Sequence, residues 1–191
     1  MFIGTTNTVE QEVEWVQQSI FHRLYDEYHH DVFSFLMYLV KDRLTAEDLS
    51  QEVYVRVLKS YERFEGKSSE KTWLFSIAKN VAIDYFRKNN VREKNTFNAF
   101  DWESEMLVSQ TPSPEKFTEM NDDMRTLLHA IEKCTGDQKM VIIMRYFQQL
   151  SIIETAEILG WTEAKVKTTQ HRAIKQLRDL LEQNREEANS L

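Results

Sequence analysis

Between Ser151 and Arg178 the chain reads SIIETAEILGWTEAKVKTTQHRAIKQLR, two helical patterns around a glycine corner, the second with five Lys or Arg against one acid. Side chains of this kind grip phosphates and reach the base edges of duplex DNA. Ser151 with Glu154 three residues on forms a capping box, so a helix begins there and runs through Ile152, Ile153, Ala156 and Leu159. Gly160 ends it, because only glycine takes the left-handed terminating conformation cheaply. Thr162 then offers a hydroxyl to the open amides of a second helix starting near Glu163. At about 100° per residue, Val166, Gln170, Ala173 and Leu177 share one side with Ile174 beside them, while Lys165, Thr168, His171, Arg172 and Lys175 lie opposite. One face packs and the other meets DNA, with Lys165, Thr168 and Arg172 near base edges and Lys175 and Arg178 nearer phosphates. A solvated basic helix on a bundle is the plainer reading. It ranks second because two caps and the glycine corner arrive together at one spacing.

A second stretch has the chemistry of a single-strand site. In TWLFSIAKNVAIDYFRK, residues Leu74, Ile77, Ala78, Val81 and Tyr85 form a packing side, and Trp73, Ser76, Lys79, Asn80, Ile83, Asp84 and Arg87 lie opposite. Aromatics stack on unpaired bases, amides read their edges and cations follow the backbone. The loop before it supplies Gly66, Lys67, Ser68 and Ser69, small groups that suit a pocket for an extruded base. Trp73 fits a core position equally well. Further back, Asp48, Gln51, Glu52, Val55 and Lys59 share one side of a helical pattern, which reads either as a docking patch for a basic partner or as a solvated face.

The elements that must carry these residues are helical. Phe21, Leu24, Tyr25, Tyr28, Val32, Phe35, Leu36 and Leu39 follow helical spacing and predict a core helix ending near Lys41. Thr45, with Asp48 at the capping-box position, predicts the start of the next, whose apolar side is Leu49, Val53, Val57 and Tyr61. Residues 100–123 hold both prolines, Pro112 and Pro114, among polar residues without clear period, and read as an extended tether. A loop folded back through Phe100, Trp102 and Leu107 is the alternative. The fold class is therefore all-α, two small helical domains joined by a flexible acidic linker, with boundaries at 19–95, 96–123 and 124–183.

Composition narrows the function. One cysteine, Cys134, excludes an internal disulfide and fits a reducing cytosol. There is no leader-like segment and no apolar run near the ~20 residues of a membrane span, which predicts a soluble cytoplasmic protein. Without a glycine-rich phosphate loop, an HExxH pattern or Cys/His metal spacing, no catalytic residue, metal or cofactor is expected. The net charge of −7 is the wrong sign for an autonomous DNA binder. Residues 100–123 hold seven acids against one Lys and residues 1–31 six against one Arg, whereas residues 56–94 hold ten Lys or Arg against five acids. Basic modules among acidic segments predict weak binding to free duplex and a partner that supplies the missing affinity.

Three strings, TAEDLSQEVYVRVL, FEGKSSEKTWLFSIAKNVAIDYFRK and LSIIETAEILGWTEAKVKTTQHRAIKQLR, resemble in order regions 2.2, 2.3 to 2.4 and 4.2 of bacterial sigma factors of the extracytoplasmic-function (ECF) group. The similarity covers most of residues 19–183, and FEGKSSEKTWL and KVKTTQHR look closest to the SigX branch. The N-terminal stretch before Ser19 and the linker have no counterpart. The resemblance implies an alternative sigma factor without catalytic activity of its own, serving a stress or envelope regulon. It implies core RNA polymerase as partner, through Asp48, Gln51, Glu52 and Val55. It implies melting and capture of the minus-10 strand by Lys67, Ser68, Ser69, Trp73, Ser76, Lys79, Asn80, Arg87 and Lys88. Duplex minus-35 DNA falls to Lys165, Lys167, Thr168, His171, Arg172 and Lys175. An anti-sigma factor, commonly membrane-anchored, is implied as inhibitor. A stand-alone helix-turn-helix regulator, or a helical adaptor that touches only proteins, are the competing readings of the residues.

Overall fold

Apolar residues at helical spacing set the first element, α1 (Thr6–Val40), in which Leu24, Val32, Phe35 and Leu36 are fully buried. The structure, a computed structural model, describes residues 6–91 and 122–189, with side chains from 19 to 89 and from 124 to 184. The tether expected at 100–123 lies almost wholly outside the described residues. Helix α1 reaches back to Thr6, well before the periodic residues begin. It ends where Lys41 turns to a left-handed φ of 58° while its amide still donates to Met37 O at 2.9 Å. Tyr25, expected in the core, is 43% exposed.

The chain turns at once into α2 (Arg43–Ser60). Its cap is Asp42 and not Thr45: the Asp42 carboxylate accepts from Thr45 N–H at 2.8 Å, and Asp42 O accepts from Ala46 N–H at 2.9 Å. Asp42–Thr45 and Thr45–Asp48 have the same cap spacing. The earlier pair prevails because a full negative charge meets the positive end of the helix there, and the hydrogen bonds from Thr45 hold the Asp42 carboxyl below its usual range. A short 3-10 turn (Tyr61–Arg63) and a loop lead to α3 (Glu70–Val91). Ser69 starts it, its hydroxyl accepting from Thr72 N–H at 3.1 Å.

The second half comprises α4 (Asp122–Glu132), α5 (Gly136–Ile142), α6 (Ile152–Leu159) and α7 (Glu163–Asn189). Between α5 and α6 the helix widens over Ile143–Phe147, with Gln148 N–H donating to Ile143 O at 3.0 Å. Thr135 and Gln138 form a reciprocal capping box for α5. Among the described residues there is no strand, and the all-α class holds.

The halves share a core that local patterns did not announce. Leu24, Phe35, Leu36, Leu74, Phe75 and Ala78 pack in one cluster with Met140, Ile143, Met144, Leu150 and Ile158. Each of these side chains larger than Ala78 contributes about 1.5–3 kcal/mol by leaving water. Smaller clusters tie α7 to the rest of its half: Ala173 and Leu177 meet Ala130, Ile131, Cys134 and Ile142, and Val166 meets Val141 and Ala156. Cys134 is 3% exposed, and burial pushes its thiol up, the state of a packed hydrophobe.

Candidate nucleic-acid interface

The glycine corner forms as its residues require. Ser151 and Glu154 close the capping box, with Ser151 N–H donating to the carboxylate at 2.8 Å and Glu154 N–H to the hydroxyl at 3.1 Å. Gly160 takes φ 68°, and the amides of Gly160 and Trp161 donate back to Glu157 O and Ala156 O. Thr162 Oγ1 accepts from Lys165 N–H at 3.2 Å and starts α7.

The phase of α7 is the one the sequence predicts. Val166 and Ala173 are fully buried, and Leu177 nearly so. Gln170 is braced by Arg145 Nε at 3.1 Å and donates to Tyr146 Oη at 2.9 Å. Lys165, Lys167, Thr168, His171, Arg172 and Lys175 are all exposed. Two of these cations are already engaged: Lys165 Nζ lies 3.6 Å from the Trp161 ring centroid and 3.3 Å from Asp137, and Lys167 Nζ lies 3.2 Å from Glu163. Thr168, His171, Arg172 and Lys175 therefore form the open arc of the helix.

Helix α3 divides differently. It buries Thr72, Leu74, Phe75, Ala78, Val81, Ala82 and Phe86, a wider face than its periodicity suggested. Trp73 is half-buried, its ring 5.0 Å from Phe64 and 5.8 Å from Tyr61. Ser76 Oγ donates to Thr72 O at 3.0 Å. Lys79 Nζ turns toward the second half and donates to Ile158 O at 2.8 Å, and burial lowers its pKa. Asn80, Arg87 and Lys88 are exposed, while Asp84 holds Arg56 of α2 at 2.8 Å. In the preceding loop Gly66 takes φ 67°, Lys67 projects into solvent beside Glu65, Ser68 is half-buried, and Ser69 is occupied as the cap. The expected wet face is thus divided between an outer edge, Trp73, Asn80 and Arg87, and an inward-turned Lys79.

The loop is strapped to α1. Arg23 forms a bidentate pair with Glu70 at 2.7 and 2.6 Å, and Tyr61 Oη adds a hydrogen bond to the same carboxylate at 3.0 Å. Arg23 holds the Glu70 carboxyl below its usual range, with Tyr61 assisting.

On α2, Asp48, Gln51, Glu52 and Val55 are exposed together. The structure adds two residues that the sequence reading missed, Leu44 at 71% and Leu58 at 47% exposure. Positions 44, 48, 51, 55 and 58 recur at alternating steps of four and three, the spacing of a seam that packs against another helix. That rhythm was visible in the sequence, but Leu44 lay outside the helix start assigned there. Glu52 is oriented by Arg56 Nε at 2.8 Å.

The Sigma-70 region 2 profile matches residues 24–92, and the Sigma-70 region 4 profile matches residues 124–177. The chain is 49% identical over 170 residues to the ECF RNA polymerase sigma factor SigX of Bacillus subtilis (strain 168), covering 89% of this chain and 88% of that protein. The chain belongs to the ECF RNA polymerase sigma factors. This sigma factor is also 33% identical to RNA polymerase sigma factor YlaC of the same organism, over 86% of this chain and 93% of that one. Its fold matches the sigma factor RpoE solved with the anti-sigma factor NepR from Bartonella quintana, at a TM-score of 0.65 and 23% identity, over 85% of this chain and 96% of that one. It is a promoter-specificity subunit that binds core RNA polymerase and directs transcription initiation. No helix among the described residues is long and apolar enough to cross a membrane.

Proposed function

We propose the following division of labour in this sigma factor. The α2 seam of Asp48, Gln51, Glu52 and Val55, extended by Leu44 and Leu58, docks on a helical surface of core polymerase. The loop from Phe64 to Lys71 and the outer edge of α3, with Trp73, Asn80, Arg87 and Lys88, hold the opened minus-10 strand; Ser76 and Lys79 join them once turned outward. The open arc of α7 reads the minus-35 duplex. Residues 19–95 and 124–183 act as the two functional domains, with 96–123 as tether. The factor works in the cytoplasm and carries no catalytic residue of its own.

The observation that carries this reading is α7. A helix with Val166 and Ala173 at 0% exposure on one side and Thr168, His171, Arg172 and Lys175 open on the other, set by a glycine corner, is built to enter a major groove. An inhibitor follows by analogy. RpoE of Bartonella quintana and CnrH were solved with NepR and with the cytosolic domain of CnrY, which supports an anti-sigma partner here, with a membrane anchor as its expected form. The test is transcription from a library of promoters with purified core polymerase. Promoter-specific initiation that requires this factor supports the assignment. Tight duplex binding without polymerase, and no initiation with it, refutes it.

A further inference from the structure

Lys165, near the start of α7, is held at both ends. Its amide donates to Thr162 Oγ1 at 3.2 Å, and its ammonium lies 3.6 Å from the Trp161 ring centroid and 3.3 Å from an Asp137 carboxylate oxygen. Both holding groups lie outside α7 and are themselves fixed. Trp161 packs against Val141, Ala156 and Val166, and its amide donates to Ala156 O at 2.9 Å. Asp137 sits in the first turn of α5, within the capping box that Thr135 and Gln138 close. Lys167 offers the contrast: its ion pair is with Glu163 a turn back on the same helix, both side chains about half exposed. A lysine stem left free samples many rotamers, and ordering it before DNA arrives removes that cost from recognition. An ammonium beside a carboxylate is a poor phosphate ligand, because the backbone would meet the acid as closely as the cation and the pair carries no net charge. The ammonium still has three donors, of which Asp137 occupies one. A base edge in the major groove is read by a donor in a fixed place and not by net charge.

We propose that Asp137 and Trp161 are positioning residues that make Lys165 a base reader: they clasp its ammonium at the N-terminal end of α7, the end of a recognition helix that meets base edges, aim it at an acceptor edge such as guanine O6 and N7, and keep it off the phosphates. The proposal rests on the assignment of α7 to the minus-35 duplex and adds to it two specificity residues, one from α5 and one from the turn before α7. Asp137 acts twice, since its charge also opposes the approach of the DNA backbone on that side.

The test is binding of reconstituted holoenzyme to a duplex promoter library randomised over the minus-35 element, at several salt concentrations. It has two readouts: the ratio of best to worst base at each position, and the slope of log K against log salt. Lys165→Ala locates the position that Lys165 reads, where the ratio is expected to fall at least about fivefold. Asp137→Asn is expected to flatten the same position although Lys165 is intact. It should also steepen the slope by about 0.9, one more counterion released as the freed ammonium reaches a phosphate. Trp161→Leu keeps an apolar group on Val141 and Ala156 but removes the ring face, and should flatten that position too, while Trp161→Phe and Asp137→Glu retain most of the preference. In the Lys165→Ala background, Asp137→Asn should change the ratio no further. Circular-dichroism melting accompanies each variant. For Asp137→Asn, lower melting with loss at all positions marks a merely structural role and overturns the proposal. So does altered affinity with the ratio at that position as in wild type, or a Lys165→Ala variant that weakens all sequences alike. Arg172→Ala, outside the clasp, tells which assignment failed: a selective loss there leaves α7 a reader of the minus-35 duplex without the clasp, and a uniform loss removes the reading of α7 itself.

Discussion

In sequence, α3 and α7 are objects of one kind, amphipathic helices with a tryptophan near the start, hydroxyl and amide groups on the polar side, and spaced cations. In the molecule they meet opposite fates. Helix α7 packs along one stripe and leaves an arc of polar groups in solvent, whereas α3 lies at the centre of the shared core and has its cations split between an outer edge and α6. A polar stripe of given composition is thus a free binding face only if its helix has neighbours on one side. What decides that is long-range packing, and the two halves supply it to one another.

The largest expected effect breaks the shared core. Phe75 is fully buried and meets Phe35 edge-on at 5.4 Å. Phe75→Ala should cost about 3–5 kcal/mol, and the loss should be felt in α6 and α7 as well as in α1 and α2. Urea unfolding combined with hydrogen exchange resolves this. Protection of α6 and α7 left intact in the variant would mean that the halves are stable separately and the contrast drawn here is one of arrangement only.

A second experiment asks whether the α2 seam behaves as α7 does, as an open face with its own partner. Asp48→Arg with Glu52→Arg leaves Val53, Tyr54 and Val57 in the core and gives up only the exposed Glu52–Arg56 pair, worth well under ~1 kcal/mol. Circular dichroism and melting should stay close to wild type while retention on core polymerase falls by at least about 2 kcal/mol, roughly thirtyfold. Retention at wild-type strength would return the seam to an ordinary solvated surface.

How much of this could be read from residues alone follows from the range of the forces. The corner at Gly160, the box at Ser151 and the cap at Thr162 are satisfied within a few residues, so their patterns name them. The burial of Val166, Ala173 and Leu177 follows from one stripe of periodicity. The cap of α2 was misplaced because two acceptors at equal spacing compete and charge at the helix end decides. The partners of Lys79 and Thr72, Ile158 and Glu154, lie about eighty residues away in sequence, and no local pattern carries that information. Leu44 and Leu58 were legible as a rhythm, but not as exposed, since exposure again depends on what α1 and α3 leave uncovered.

The open arc of α7 can be sharpened further by separating base reading from phosphate grip. Arg172 lies in the N-terminal half of α7, and Lys175 about a turn later. Arg172→Ala should relax preference at one or two minus-35 positions by ~1–3 kcal/mol, whereas Lys175→Ala should weaken all sequences alike and flatten the salt dependence. The measurement is holoenzyme binding to a minus-35 library at two salt concentrations. The reverse outcome would mean that α7 enters its groove rotated, with Lys167 and His171 foremost.

The smallest effect compares two carboxylates that fasten the halves locally. Glu70 is held below the usual 4.5 chiefly by its hydrogen bonds to Arg23, and Glu154 chiefly by its hydrogen bonds to Ser151, with Thr72 and Lys71 assisting. A carboxyl whose folded value is depressed contributes stability that is fully present above its unfolded value and is lost as pH falls through the folded one. Both contributions therefore begin to fade as pH falls below about 4.5 and are gone only below the depressed folded values, each at most ~1 kcal/mol for half-exposed groups. The two differ in what a neutral amide can replace. In a capping box Gln serves nearly as well as Glu, so Glu154→Gln should cost little at neutral pH and remove most of that site's share of the acid dependence. At Glu70 the amide cannot match a bidentate guanidinium, so Glu70→Gln should lower stability at neutral pH and leave a flatter profile toward acid. Urea midpoints measured between about pH 6 and about pH 3.5 separate the two. If Glu70→Gln is silent at neutral pH, the Arg23 strap does not hold the start of α3, and the loop before it is positioned by the Trp73 and Phe64 rings alone.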